Sequence, residues 1–222
     1  MVKKRVVTRG CAISLVLFLM VTGPTMILAG ENGTSIAVEN NENGASLAPA
    51  SLAFYSSLSV PLYAQELDCW CWAASGRMCM KFLGKDVSQC SQASHYLSRT
   101  DCCNAQRCPN PNNGHPCNQG GRCEYSYWGF NSTMTYGALS WDALVNQIKN
   151  LKKPVDYQWY WTGGGAHIMV ARGVQSDGSY NYVQINDPWA PCQGYTSWVN
   201  YTYWVSGGDH TSGWDIYNIT KR

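Results

Sequence analysis

The chain has 222 residues, 45% of them hydrophobic, enough for one well-filled core but not two. Its 16 basic and 14 acidic residues nearly balance. No basic stripe runs along it, which excludes nucleic-acid binding built on phosphate neutralisation.

Residues 1–29 read as a signal peptide. Lys3, Lys4, Arg5 and Arg9 form a basic n-region, and Cys11 to Val21 an apolar h-region too short to span a bilayer comfortably. Met26-Ile27-Leu28-Ala29-Gly30 offers a small residue for cleavage. Its removal takes four of the 16 basic residues and no acidic one, leaving 12 against 14 and a net charge of −2. The mature chain is therefore expected to be exported, secreted or periplasmic, with no stable membrane insertion after signal removal. Cysteine usage points the same way. Cys11 leaves with the signal, ten of 11 remain, and eight of these lie between Cys71 and Cys123.

Residues 30–60 are Asn-, Glu-, Gly-, Ser- and Ala-rich and read as a disordered leader or pro-segment. A helix is expected from Trp70 to Leu83. Cys71, Ala74, Ser75, Met78 and Phe82 follow helical spacing, Gly84 ends it, and the run Ala73 to Gly76 lets it pack closely. Ser88 caps a second helix running to Leu97. Residues 100–131 hold Cys102, Cys103, Cys108, Cys117 and Cys123 among Pro, Asn and Gly, and read as a stapled surface loop. Paired Cys-x-x-Cys units are absent there, so neither zinc nor any other cofactor is expected. Ser140 caps a third helix, with Trp141, Leu144, Ile148 and Leu151 on one face and Lys149, Lys152 and Lys153 at its end. After Pro154 the period becomes two. Val155–Trp161, His167–Val174, Ser179–Asn186, Thr202–Val205 and Trp214–Ile219 read as strands. Helices followed by an antiparallel sheet is an α+β layout.

Cys71 opens the first helix, where the macrodipole favours a thiolate. Its side chain shares a face with Ala74 and Met78, whereas Cys69 lies outside the helix and suits a disulfide. If Cys71 is a free nucleophile, nine cysteines remain, so one more thiol stays unpaired or bridges chains. A base must be a histidine. His115 sits in the cysteine loop, His95 on the second helix and His210 in a late turn, while His167 opens a buried-looking strand after Gly163-Gly164-Gly165. Asn186 or Asp187 would orient the imidazole. Alternation puts Asp187 on the face of Val183 and Ile185, and Pro188 ends the strand beside it. The Gln65 amide, six residues before Cys71, offers a donor to an oxyanion.

With these residues in place, the chain resembles the papain-like cysteine proteases, and within them the bacterial AvrRpt2-like (peptidase C70-like) group. The resemblance spans residues 61–219. It rests on Gln65 with Cys71-Trp72-Ala73-Ala74, on Ser88-Gln89-Cys90, on Asp101-Cys102-Cys103-Asn104 with Cys117-Asn118, on Pro154-Val155, on Gly163 to His167 and on Asp187-Pro188-Trp189. It implies a protease domain over 61–222, with a helical part packed on an antiparallel sheet part and an active-site cleft between. It also implies Cys71 as nucleophile, His167 as proton carrier, Asp187 as orienting group and Gln65 with the Cys71 N–H as oxyanion donors. The spacing of Trp189 from Asp187 settles the choice over Asn186. The substrate implied is a protein or peptide. One departure is Cys69, two residues before the nucleophile where the papain signature has a cysteine three before. Two other readings stay open: a transglutaminase-like acyl transferase, which runs Cys, His, Asp in the same order, and a catalytically silent, disulfide-rich binding module.

Overall fold

The first helix, α1 (Cys71–Phe82), forms where small residues follow the two tryptophans. In this computed structural model, which describes residues 53–222, Trp70, Trp72, Met78, Cys79 and Met80 are all buried around it. Gly76 cannot be enlarged: a Cβ there would lie 2.5 Å from Gln92 Oε1 and 2.7 Å from Cys123 Sγ. The helix stops at Leu83, and Gly84 takes a left-handed φ of 90°. The Ser88 hydroxyl caps α2 (Gln89–Tyr96) by accepting from Ser91 N–H. A short 3₁₀ turn, Cys102–Asn104, then opens the cysteine-rich stretch.

The remaining elements are β1 (Phe54–Ser57), β2 (Phe130–Tyr136), α3 (Trp141–Val145), β3 (Val155–Trp161), β4 (Ala166–Ser176), β5 (Asn181–Asp187), β6 (Tyr195–Asn200), α4 (Tyr201–Val205) and β7 (His210–Lys221). The strands form one seven-stranded antiparallel sheet in the order β2-β7-β3-β4-β5-β6, with β1 added to the far half of β4. Helix α1 packs on β4 and β3. Mixed helix and antiparallel sheet is the layout expected from the sequence. Among the described residues no helix is long and apolar enough to cross a membrane.

Four local expectations change. The third helix runs only to Val145 and continues as a π turn, Asn146–Asn150, with Leu151 N–H bonded to Asn146 O. The wider turn brings buried Gln147 onto Asn218 through two reciprocal hydrogen bonds and leaves Leu151 exposed, off the expected apolar stripe. Thr202–Val205, read as a strand, is helical within α4, because Asn200 caps it and Trp204 turns fully into the core. Phe54–Ser57, inside the segment read as a leader, pairs with β4. The signal peptide and the leader up to residue 52 lie outside the described residues. Finally, β2 occupies the end of what was read as loop.

Two buried carboxyl groups of the sheet, on β3 and β7, have raised values. Asp156 on β3 is pushed up to about 8 by burial, against the hydrogen bond from Tyr125 Oη at 2.8 Å. Asp215 on β7 is pushed up to about 7 by burial, against the Leu139 N–H. A raised folded value favours the protonated native form. Its contribution to stability is complete below the unfolded carboxyl range near 4 and is lost as pH rises through about 8. Thermal unfolding followed by circular dichroism from pH 4 to 9 should therefore show a melting temperature that falls with pH. Asp156→Asn should flatten that fall, and an unchanged slope in the variant would contradict the assignment.

Candidate active site

Cys71 is the first residue of α1 and is 7% exposed. No backbone carbonyl accepts its N–H among the described residues, as expected in the first turn of a helix. One turn on, the buried Ser75 hydroxyl donates to Ile168 O at 3.0 Å. Residues four apart share a helix face, so this bond fixes the height of Cys71 against β4, the strand that carries His167. The sequence marked Ser75 as a small packing residue. Its role as a clamp depends on a strand 93 residues away.

His167 is 9% exposed, with Nε2 2.7 Å from Asp187 Oδ1. Cys71 is the other group that raises the imidazole's pKa; with Nε2 taken by Asp187, Nδ1 is the nitrogen left for the thiol. Burial alone would drive the imidazole towards its neutral form, but the charge and hydrogen bond of Asp187, reinforced by Cys71, raise it to about 10. Asp187 Oδ1 also accepts the Trp189 N–H at 2.8 Å, which holds the carboxylate in a tight turn. Asn186 faces the other way. Its amide donates to Val60 O and approaches Met78 Sδ, and its oxygen accepts from Thr196. Strand alternation thus separates the two candidates, with Asp187 towards His167 and Asn186 towards α1.

Gln65 is fully buried. Its main chain bridges to the turn after Asp187, with Gln65 N–H on Pro188 O at 3.0 Å and Cys192 N–H on Gln65 O at 2.9 Å. Its amide nitrogen donates to Leu67 O and Asp68 O, and its Oε1 has no partner. The amide therefore braces its own turn, and an oxyanion would have to displace one of these carbonyls. The buried Gln89 amide grips the same segment, donating to Ala64 O and accepting from Glu66 N–H.

The cysteine-rich stretch serves this site as a brace. Asn113 Oδ1 accepts from Asp68 N–H and Asn118 Oδ1 from Cys69 N–H. The Cys117 and Gln119 carbonyls accept the indole N–H groups of Trp70 and Trp72. Disulfides Cys90–Cys103 and Cys102–Cys117 anchor the loop, and Cys108–Cys192 ties it to the turn after Asp187. Asp101, Cys102 and Cys117 cluster closely enough to suggest a metal, but the disulfide removes both thiolate donors. Cys79 and Cys123 are buried thiols, which burial pushes well above the usual range. Counting cysteines required one thiol beyond Cys71; the fold keeps at least these two.

The other histidines take separate places. His95 pairs with Glu124 at 2.8 Å and stacks on Tyr127. His115 accepts from Cys117 N–H. His210, read as a turn residue, is fully buried, with Nδ1 on Asp209 and Nε2 on Tyr203 O.

A thiol at a helix N-terminus beside an imidazole–carboxylate pair is equipped for nucleophilic acyl transfer, the chemistry of thiol peptidases. The chain belongs to the Peptidase_C39 like family, whose model matches residues 57–208. That family is one of cysteine peptidases and implies a peptide substrate. The match supports the papain-like cysteine peptidase class and says nothing of the AvrRpt2-like group. No curated protein matches the chain.

Proposed function

We propose that the chain is an exported, papain-like cysteine peptidase acting through Cys71, His167 and Asp187. The observation that carries this reading is the 2.7 Å pairing of buried His167 with Asp187, with the Cys71 thiol at the head of α1 acting on the same imidazole. In this mechanism His167 accepts the Cys71 proton and the thiolate attacks the peptide carbonyl. The imidazolium then protonates the leaving amine, and water hydrolyses the acyl-enzyme with His167 again as base. The Cys71 N–H stabilises the oxyanion, joined by the Gln65 amide once it exchanges an internal carbonyl for the substrate oxygen. Three disulfides are consistent with an oxidising compartment.

The test is labelling of the secreted protein with a thiol-directed epoxide, followed by peptide mapping and a peptidase assay. One label on Cys71 with parallel loss of peptide hydrolysis is the expected result, because Cys79 and Cys123 are buried and inert. Full peptidase activity in Cys71→Ala would sink the proposal. Amine incorporation into glutamine substrates without cleavage would instead favour the transglutaminase-like reading.

A further inference from the structure

Beside Gln65 lies a charged pocket that the proposed mechanism does not use. It has a volume of about 310 Å³ and is lined by Glu66, Ala105, Arg107 and Cys108. Glu66 directly follows the proposed oxyanion donor, and its N–H donates to Gln89 Oε1 at 2.9 Å. Cys108 Sγ lies 3.8 Å from Gln65 O and is bonded to Cys192, on the turn after Asp187. Ala105 follows the 3₁₀ turn Cys102–Asn104, in which Cys102 and Cys103 are both disulfide-bonded. The pocket is thus built on braced backbone at the flank of the candidate site.

Its charges do not cancel. Both Glu66 oxygens are engaged, Oε2 by Arg107 Nη1 at 2.9 Å and Oε1 by Arg77 Nη1 at 3.5 Å. Arg77 is also held by Asp86 at 2.8 Å, and Lys81 reaches the same carboxylate at 3.3 Å. Three cations in this linked group therefore share two carboxylates. Arg77 is occupied further, with its guanidinium 4.2 Å from the Tyr63 ring centroid. Arg107 is the cation with donors to spare. A guanidinium carries five N–H groups, and among the described residues Nη1 is the only Arg107 nitrogen with an acceptor. Its side chain is 33% exposed, so the remaining donors are open to a ligand.

The geometry points to this pocket as a specificity subsite, in which Arg107 binds an Asp or Glu side chain of the peptide substrate close to the scissile bond. This rests on the function proposed above. Three extended residues span about 10 Å, so a pocket that starts one residue from Gln65 is within reach of side chains up to about three positions from the cleavage point. A guanidinium matches a carboxylate in a planar, two-point bond. The stapled backbone on which Arg107 sits leaves little freedom to lose on binding. A basic side chain would meet the same guanidinium and find both Glu66 oxygens already taken.

The experiment moves a single Glu, Gln or Lys through the positions on either side of the cleavage site in C-terminally amidated peptides, so that only side-chain carboxylates are read. The parent is compared with Arg107→Gln, Arg107→Glu and Glu66→Gln, with rates normalised to Cys71 titrated with the epoxide, so any fraction that fails to fold drops out. At one position the parent should favour Glu over Gln by about 10-fold in kcat/KM, the effect of one charge-assisted hydrogen bond at a partly exposed site, and the ratio should shrink as salt is added. Arg107→Gln should lose the preference and Arg107→Glu should turn it towards Lys. Glu66→Gln, which strips Arg107 of its internal counter-ion, should raise it. A parent that hydrolyses peptides with no preference for Glu at any position would overturn the inference, as would a Glu preference that survives in Arg107→Gln or Arg107→Glu. A parent with no Cys71-dependent hydrolysis of any peptide would overturn the proposed function itself, and the inference with it.

Discussion

Replacing His167 with alanine is expected to lower kcat/KM for peptide hydrolysis by about 10⁴-fold, which is about 5.4 kcal/mol of transition-state stabilisation. The imidazole interacts with both Cys71 and Asp187, so its removal breaks the proton path and leaves a buried carboxylate without its cation. Epoxide labelling of Cys71 should slow in step with hydrolysis, since the thiol loses the base that takes its proton. Asp187→Asn should be milder and more telling. It keeps an oxygen for the imidazole N–H but loses the charge that raises His167 to about 10. The sign follows from that cause. A raised value keeps the imidazolium populated up to about 10, so loss of the carboxylate should draw in the alkaline limb of kcat/KM towards the ordinary histidine range. The same raised value adds stability that is complete below about 6.5 and lost as pH rises through about 10. An alkaline limb that stays put in Asp187→Asn would refute this account of the site.

The second large effect is structural. Cys108→Ser is expected to destabilise the fold by about 4 kcal/mol, because the bond it removes closes a long loop in the unfolded chain, with Cys108 and Cys192 separated by 84 residues. For a chain of this size that is roughly 8–16 °C in melting temperature. Activity should fall too. Cys192 N–H donates to Gln65 O, and Cys108 Sγ lies 3.8 Å from the same oxygen. Losing the bond therefore loosens the segment that carries Gln65. Cys192→Ser should match Cys108→Ser, and the double variant should be no worse than either. Additive losses would mean that the two residues act separately.

The parts legible in the sequence are those written in short-range chemistry. The capping serine of α2, the glycine after α1 and the period-two run of β3 match the structure almost residue for residue. The candidate site was legible as a chain order, Cys71, His167, Asp187, of which the structure pairs the last two directly. What escaped was decided at a distance. β2 and β6 are the outer strands of the sheet and β1 covers only part of β4; such strands bury little, so their alternation is faint. β2 buries one residue, Phe130, of its seven. The aromatic run at Tyr201–Val205 has strand propensity, but Asn200 and the burial of Trp204 override it. The inward turn of the Gln65 amide and the role of Ser75 depend on partners that no local pattern names.

The brace around Cys71 also changes how the protein must be handled. Reductants are added to keep a catalytic thiol from oxidising, yet here they also attack the three bonds that anchor the 102–117 loop and the Gln65 segment. Reductant is thus both activator and solvent of the scaffold. The useful assay window is a narrow range of redox buffer, strong enough to spare Cys71 and too weak to open Cys108–Cys192.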